Sequence, residues 1–599
     1  MGAFIRQVLA TLIGLVLFVT LGLGGLIMLV VLASLTATEP EADVERGTVL
    51  TLDLAEGISD ANIEEPVVLV GDLFGGATPT RAIALRVAID ALYEAAEDNR
   101  IEALYIKGSL LEGVGAGYAT LRELRAALDA FQESGKPIYA HSPNWSERDL
   151  YLVSGADQVM LDPTGLVEMD GLIAETPFFA GALEQFGIGI QVIRAGSYKS
   201  GGESFVRQER SPEDREQTEA LLVDLWDEVV TTVAAGRELE PSALQAIADQ
   251  QGFLVATEAE AAGLIDRQAF EDEVLTELQS LTEADDLDDL NQISLLAYAN
   301  TNLPAGGGLF PTPTVALVYL DGNIVSTTTG AAQIGSDRTV ELLRNLREDE
   351  DVAAVVLRIN SGGGSASASE RITREVALLQ AAKPTIATMG NIAASGGYQI
   401  AAPADQIFAS PNTITGSIGV FGVIPNIEEL ASNNGITWDR VQTGDYAGLN
   451  TLSRPKTPEE LARLQTLVDQ VYDSFLAIVA EGRSMSREEL QEIAQGRVWS
   501  GVDAQEIGLV DELGGMGAAV DAAVEHAELG DNWQLVEYPQ PPTFPEILAT
   551  LSSQRSPLAD VPPPLATLAE WVEQEWETLQ AMDDPRHIYT RILFIPKID

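Results

Sequence analysis

The chain contains no cysteine and only three histidines, His141, His526 and His587. The first absence excludes disulfides, thiolate metal sites and a cysteine nucleophile. The second leaves too few ligands for a zinc centre, and no histidine has a sequence neighbourhood that suggests a Ser-His-Asp triad. No metal and no cofactor is expected. Positive charge is also scarce: 35 Lys and Arg stand against 91 Asp and Glu, a net charge of −56. Without an excess of phosphate-neutralising side chains, nucleic acid is not an expected partner. The acidity reads as a heavily solvated surface. Lysine is far scarcer than arginine, confined to Lys107, Lys136, Lys199, Lys383, Lys456 and Lys597. Arginine keeps its proton, whereas a desolvated lysine releases one near neutral pH, so each lysine is a candidate general base.

Long apolar runs are nearly absent too. The one exception is 8–35, inside an uncharged stretch from Gln7 to Thr38. As a helix it would reach roughly 42 Å, against about 30 Å of bilayer hydrocarbon. That is longer than a signal-peptide core, so an uncleaved transmembrane anchor is expected, with a cleaved signal as the alternative. Arg6 precedes the run and Glu39, Glu41 and Asp43 follow it. This polarity places the N-terminus in the cytoplasm and the body outside; in a bacterium, a single-pass inner-membrane protein with a periplasmic body.

What the chain does have is a duplication. Residues 47–275 and 313–540 align through ordered landmarks: Gly57/Gly322, Lys136-Pro137/Lys383-Pro384, Asn144/Asn391, Tyr151/Tyr398, Tyr198/Tyr446, Gly236-Arg237/Gly482-Arg483 and Gly263-Leu264/Gly508-Leu509. The first copy carries an insertion near 71–80. In the second copy, strand-like runs over 314–321, 352–359 and 384–389 alternate with helical stretches over 339–347 and 369–379. That alternation predicts an α/β fold with a largely parallel sheet. Ser211-Pro212-Glu213 and Thr457-Pro458-Glu459 open a long helix in each copy. The expected organisation is a cytoplasmic stub and transmembrane anchor (1–38), a first α/β repeat (47–275), an acidic, Gly-rich linker (276–312), a second repeat (313–540) and a Pro-rich tail (541–599) with an amphipathic helix over 565–582.

The two copies differ where chemistry is expected. The second has Ala394-Ser395-Gly396-Gly397 just past a buried strand, where the first has Arg148 opposite Ser395; the first has Tyr198-Lys199, where the second has Tyr446-Ala447. This asymmetry points to a serine nucleophile and a lysine base supplied by different halves. Taken singly, each residue has a plainer explanation. Ser395 reads equally as the cap of a tight turn, Lys199 as a surface-loop lysine, and the glycine run 362–364 as a strand–helix loop. Lys456 is a competing base, but its place between Pro455 and a helix cap reads as exposed. Ser417, opposite Met169, is a turn serine whose hydroxyl is able to hold an amine.

Together, Asn360-Ser361-Gly362-Gly363-Gly364-Ser365, Ala394-Ser395-Gly396-Gly397-Tyr398, Thr415-Gly416-Ser417-Ile418-Gly419 and Tyr198-Lys199-Ser200 resemble the signal peptide peptidase A family in its long, tandem-repeat, protease-IV form. The resemblance covers nearly all of 1–540. It implies two Clp-protease/crotonase-like repeats behind one transmembrane helix. It also implies a membrane-bound serine endopeptidase with Ser395 as nucleophile, Lys199 as general base and Ser417 orienting the lysine. Gly363 and Gly396 would form the oxyanion hole, with Gly364 as the alternative to Gly363. The family's substrates are remnant signal peptides, and its long form is a homotetramer. One departure is Gly362, where the family usually has proline; a glycine costs more entropy to order in that turn. Two other function classes remain at this point: a crotonase-like acyl-CoA enzyme, and a catalytically idle membrane scaffold.

Overall fold

The computed structural model describes residues 44–60, 82–110, 116–302, 312–327, 333–539, 589–591 and 597–598. The expected anchor (8–35), the insertion near 71–80 and the candidate helix at 565–582 lie outside the described residues. Among the described residues, no helix is long and apolar enough to cross a membrane.

Each repeat builds a sheet with the same spatial order. In the first, the strands run Arg267–Gln268, Gln158–Leu161, Ile138–Ser142, Ile101–Lys107, Thr48–Asp53, Gln292–Ser294, all parallel. In the second, six of the eight strands repeat this order, Glu512–Leu513, Gln406–Ala409, Thr385–Ala394, Val352–Ser361, Thr314–Asp321, Gln534–Tyr538, again all parallel, while Ile414–Gly416 also pairs with the end of Thr385–Ala394 and carries Val498–Ser500 antiparallel on its far side. Burial explains the composition of these strands: Val315, Ala316, Leu317 and Val318 are all inaccessible to solvent, as expected for parallel strands covered on both faces.

The segment 276–312, expected as a linker, is folded over 276–302. Helix Glu271–Leu281, strand Gln292–Ser294 and helix Leu295–Asn302 complete the first sheet. The acidic run concealed a buried set, Leu278, Ile293, Leu295 and Tyr298. The 314–321 strand occurs as expected, whereas the strand expected over 384–389 extends over Thr385–Ala394 and ends at the residue before Ser395.

Three features bind the repeats together. First, the lysine-side strand Gly189–Ala195 leaves its own repeat and pairs antiparallel, residue for residue, with Val420–Asn426 of the second. Second, helix Pro212–Gly236, capped by Ser211 through a 3.1 Å bond from the Asp214 amide, buries Leu221 and Leu225 against Ile392, Ala394 and Ile414. Third, Arg358 of the second repeat is fully buried between two acids of the first, Asp60 at 2.6 Å and Glu123 at 2.7 Å. Arg358 also donates to the Met389 carbonyl, within the strand that leads to Ser395.

Candidate active site

Ser395 ends its strand in an unusual backbone state, φ 55° and ψ −114°. Such a conformation costs a non-glycine residue of order 1–3 kcal/mol and persists only where the surroundings impose it. Here the Ser395 amide is tied to the Gly416 carbonyl at 2.8 Å, and helix Gly396–Ala401 starts immediately after. Ser417 is also left-handed, with φ 50°, and its amide donates to the Arg497 carbonyl at 2.6 Å. Both serines are buried.

Lys199 arrives from the other repeat on the loop after Gly189–Ala195. Its Nζ lies 2.7 Å from Ser395 Oγ, 2.9 Å from the Ser417 carbonyl and 3.0 Å from Ser417 Oγ. The side chain is only 2% exposed. No carboxylate is among its hydrogen-bond partners, and burial alone pushes its pKa well below the usual lysine value. The lysine loop is clamped by the turn Gln495-Gly496-Arg497: the Tyr198 amide donates to the Gln495 carbonyl at 2.8 Å, and Lys199 occupies the space that a side chain at 496 would need. Gly496 has φ +80°, and a Cβ there would fall 2.6 Å from Lys199 Cβ. Only glycine fits.

Of the sequence-predicted residues, Ser395, Lys199 and Ser417 meet at one point. Gly396 follows Ser395 directly, and Gly363 packs beside it: a Cβ on Gly363 would lie 2.8 Å from the Gly396 amide nitrogen. The Gly363 amide itself donates to Ser361 Oγ at 3.2 Å. Lys456, expected to be exposed, is 5% exposed, and its ammonium is held by the Thr451 carbonyl rather than by Ser395. The stretch before its helix folds back and covers it. His141 is a satisfied core residue, its Nε2 3.0 Å from Asp162 and 3.1 Å from the Ala269 carbonyl. Beside Lys199 lies a cavity of about 70 Å³ lined by residues that include Tyr198, Gln217, Leu221, Ser417 and Arg591.

The model of peptidase family S49 matches the chain twice, over residues 130–285 and 377–530. The chain belongs to peptidase family S49. With that membership it is a serine protease built from a tandem repeat of S49 domains. It is 34% identical over 521 residues to Protease 4 of Salmonella typhi, an alignment covering 84% of this chain and 82% of that protein. It is 30% identical over 523 residues to the chloroplastic serine protease SPPA of Arabidopsis thaliana, covering 86% and 75%. Among solved structures, ClpP1 from Listeria monocytogenes aligns with 33% of this chain and 91% of its own at 16% identity, with a TM-score of 0.21.

The sequence reading missed the Gln495-Gly496-Arg497 clamp and the buried Arg358. A signal for the clamp existed: the first repeat has Gln251-Gly252 at the corresponding place, with Gly252 also at positive φ. Arg358 carried none, because one arginine in a strand does not announce two acids more than 200 residues away.

Proposed function

We propose that this S49 peptidase cleaves peptides with a Ser395–Lys199 dyad assembled across its two repeats, and that its substrates are signal peptides remaining in the membrane after secretion. The observation that carries the reading is the 2.7 Å contact between a buried, carboxylate-free lysine amine and a serine hydroxyl. A neutral amine has two N–H donors and one lone pair. The Ser417 carbonyl and hydroxyl accept the two donors, and the lone pair then faces the Ser395 O–H. Lys199 takes that proton as Ser395 Oγ attacks the peptide carbonyl. The Gly396 amide and the 363–364 turn supply hydrogen bonds to the oxyanion. Since the Gly363 N–H is engaged with Ser361, Gly364 is the better second donor from that turn. Lys199, now charged, gives its proton to the leaving amine. Water then deacylates the enzyme, and the 70 Å³ cavity beside the lysine has room for it.

The membrane part of the reading rests on the apolar stretch 8–35 and on the resemblance to the signal peptide peptidase A family. A single-pass anchor with a periplasmic body, and a homotetramer, belong to the same proposal. Detergent-dependent extraction and light scattering test them separately.

For the dyad, Ser395→Ala and Lys199→Ala are each expected to abolish peptide cleavage while circular dichroism is unchanged, and Lys199→Arg is expected to be equally inactive. Ser417→Ala removes one acceptor worth about 1 kcal/mol, so kcat/KM should fall roughly fivefold. Turnover at the parent's rate by either of the first two variants removes the dyad from consideration.

A further inference from the structure

A buried glutamine stands between the lysine loop and the second repeat. Gln217 lies in the second turn of helix Pro212–Gly236 and is 4% exposed. Its Nε2 donates to the Tyr198 carbonyl at 3.1 Å and to Asp214 Oδ1 at 3.0 Å. Its Oε1 accepts from the Val498 amide at 3.1 Å. Both N–H groups and the oxygen are therefore engaged. The backbone dictates which way the carboxamide points, because the Tyr198 carbonyl only accepts and the Val498 N–H only donates.

The two backbone partners make this position informative. Tyr198 immediately precedes Lys199. Val498–Ser500 pairs antiparallel with Ile414–Gly416, Val498 opposite Gly416, and the Gly416 carbonyl holds the Ser395 amide at 2.8 Å. One side chain of the first repeat thus bridges the residue before the lysine to the strand that braces the serine. Gln217 also lines the cavity beside Lys199. The duplication supplies a comparison. Counted from the matching helix caps Ser211 and Thr457, the second repeat has an exposed Arg463 at this place, and it has Ala447 where a lysine would stand. The bridging amide occurs in the repeat that has a lysine to hold.

The charges around the loop are matched by partners of their own. On the helix, Asp214 is met by Arg210 at 2.7 Å; at the end of the loop, Glu203 is met by Arg194 at 2.8 Å. From the second repeat, Arg497 lies over the rings of Tyr198 and Trp499 and pairs with Glu216 at 3.2 Å. Arg591 completes the charged groups of the cavity wall. A glutamate at 217 would have the same size. It would set a further anion in that cavity, and it would turn an acceptor toward the Tyr198 carbonyl and Asp214. We propose that Gln217 is a positioning residue for Lys199: its neutral carboxamide holds the lysine loop against the second repeat and keeps anionic charge away from the amine. This role rests on the reading of Lys199 as the base for Ser395.

The test compares Gln217→Glu, Gln217→Met and Ser500→Ala in the full-length chain. Ser500→Ala severs another bond between the same helix and the same strand, from Ser500 Oγ to Asp224 Oδ2 at 2.7 Å, and removes a helix cap. None of the hydrogen bonds of Ser500 reaches the lysine loop. Each variant is measured for kcat and KM on a peptide, for the pH profile of Ser395 labelling by a serine-directed acylating probe, and for its urea midpoint. Gln217→Met is expected to lower kcat about tenfold with KM within about twofold of the parent's, as a misplaced base would. Gln217→Glu is expected to do the same and to move the midpoint of the labelling profile upward by about one pH unit, since an anion near the amine favours its charged form. Ser500→Ala is expected to lower the urea midpoint while kcat and the profile stay at the parent's values. Parent-like kcat and profile in both Gln217 variants overturn the proposal, and so does a profile shift in Ser500→Ala equal to that in Gln217→Glu. Lys199→Ala separates the two readings. Labelling of that variant at the parent's rate removes Lys199 as the base; no labelling there, with unmoved Gln217 variants, removes only the role of Gln217.

Discussion

On the proposed dyad, the burial of Lys199 sets the pH dependence of the enzyme. A solvated lysine with pKa 10.5 is unprotonated in only about 0.3% of molecules at pH 8, so a base of that kind would work about 300-fold below its limit there. Its rate would climb tenfold per pH unit up to pH 10.5. Lys199 is expected to depart from that profile, because its amine is 2% exposed, no carboxylate bonds to it, and burial holds its pKa well below 10.5. The assay is the second-order rate at which a serine-directed acylating probe labels Ser395 between pH 6 and 10.5, followed by intact mass, with Ser395→Ala as the unlabelled control. The rate is expected to rise with pH and level off well before 10.5. Between pH 8 and pH 10 the gain should fall far short of the roughly 100-fold that a solvated lysine gives. A tenfold rise per unit sustained through pH 10 would refute the argument, because it would mean the amine is hydrated when the serine reacts.

The same burial affects stability. The folded pKa lies below the unfolded one, so folding must release a proton at any pH between them, and the fold is penalised below 10.5. Lys199→Met should therefore melt above the parent at pH 7, and the gap should close as pH rises toward 10.5, by up to about 1.36 kcal/mol per unit. Gly496→Ala places a Cβ 2.6 Å from Lys199 Cβ and should displace the amine by a fraction of an ångström or more; kcat is expected to drop about 100-fold with far-UV circular dichroism unchanged. Arg358→Ala leaves Asp60 and Glu123 buried without their cation and should cost about 3–5 kcal/mol, read as an earlier urea midpoint for the parting of the repeats.

Much of this site was legible in the sequence because duplication left an internal control. Ser395 opposite Arg148, and Lys199 opposite Ala447, show which half kept which group before any coordinate is known. The strand at 314–321 and the capped helices at 212 and 458 follow from local patterns of apolar residues and turn formers. What remained hidden is what depends on partners distant in sequence. The acidic stretch after 276 looked like a linker because its buried residues are sparse, and they become a pattern only when Gln292–Ser294 is seen at the edge of the first sheet. Lys456 looked exposed because its cover comes from a chain reversal. The positive φ of Ser395 and Ser417 is imposed by bonds to Gly416 and Arg497, and serine itself gives no sign of it.

The exchange of Gly189–Ala195 into the second repeat has a consequence for the protein's biogenesis. Lysine and serine are 196 residues apart in the chain. At about 5–20 residues per second, the lysine leaves the ribosome roughly 10–40 seconds before the serine is made. Neither half has both groups, and the strand that delivers the amine has no partner until Val420–Asn426 has been synthesised. On the proposed dyad, a nascent chain that has not yet reached Val420–Asn426 is inert by construction, and proteolytic competence appears only when the two repeats have closed on each other.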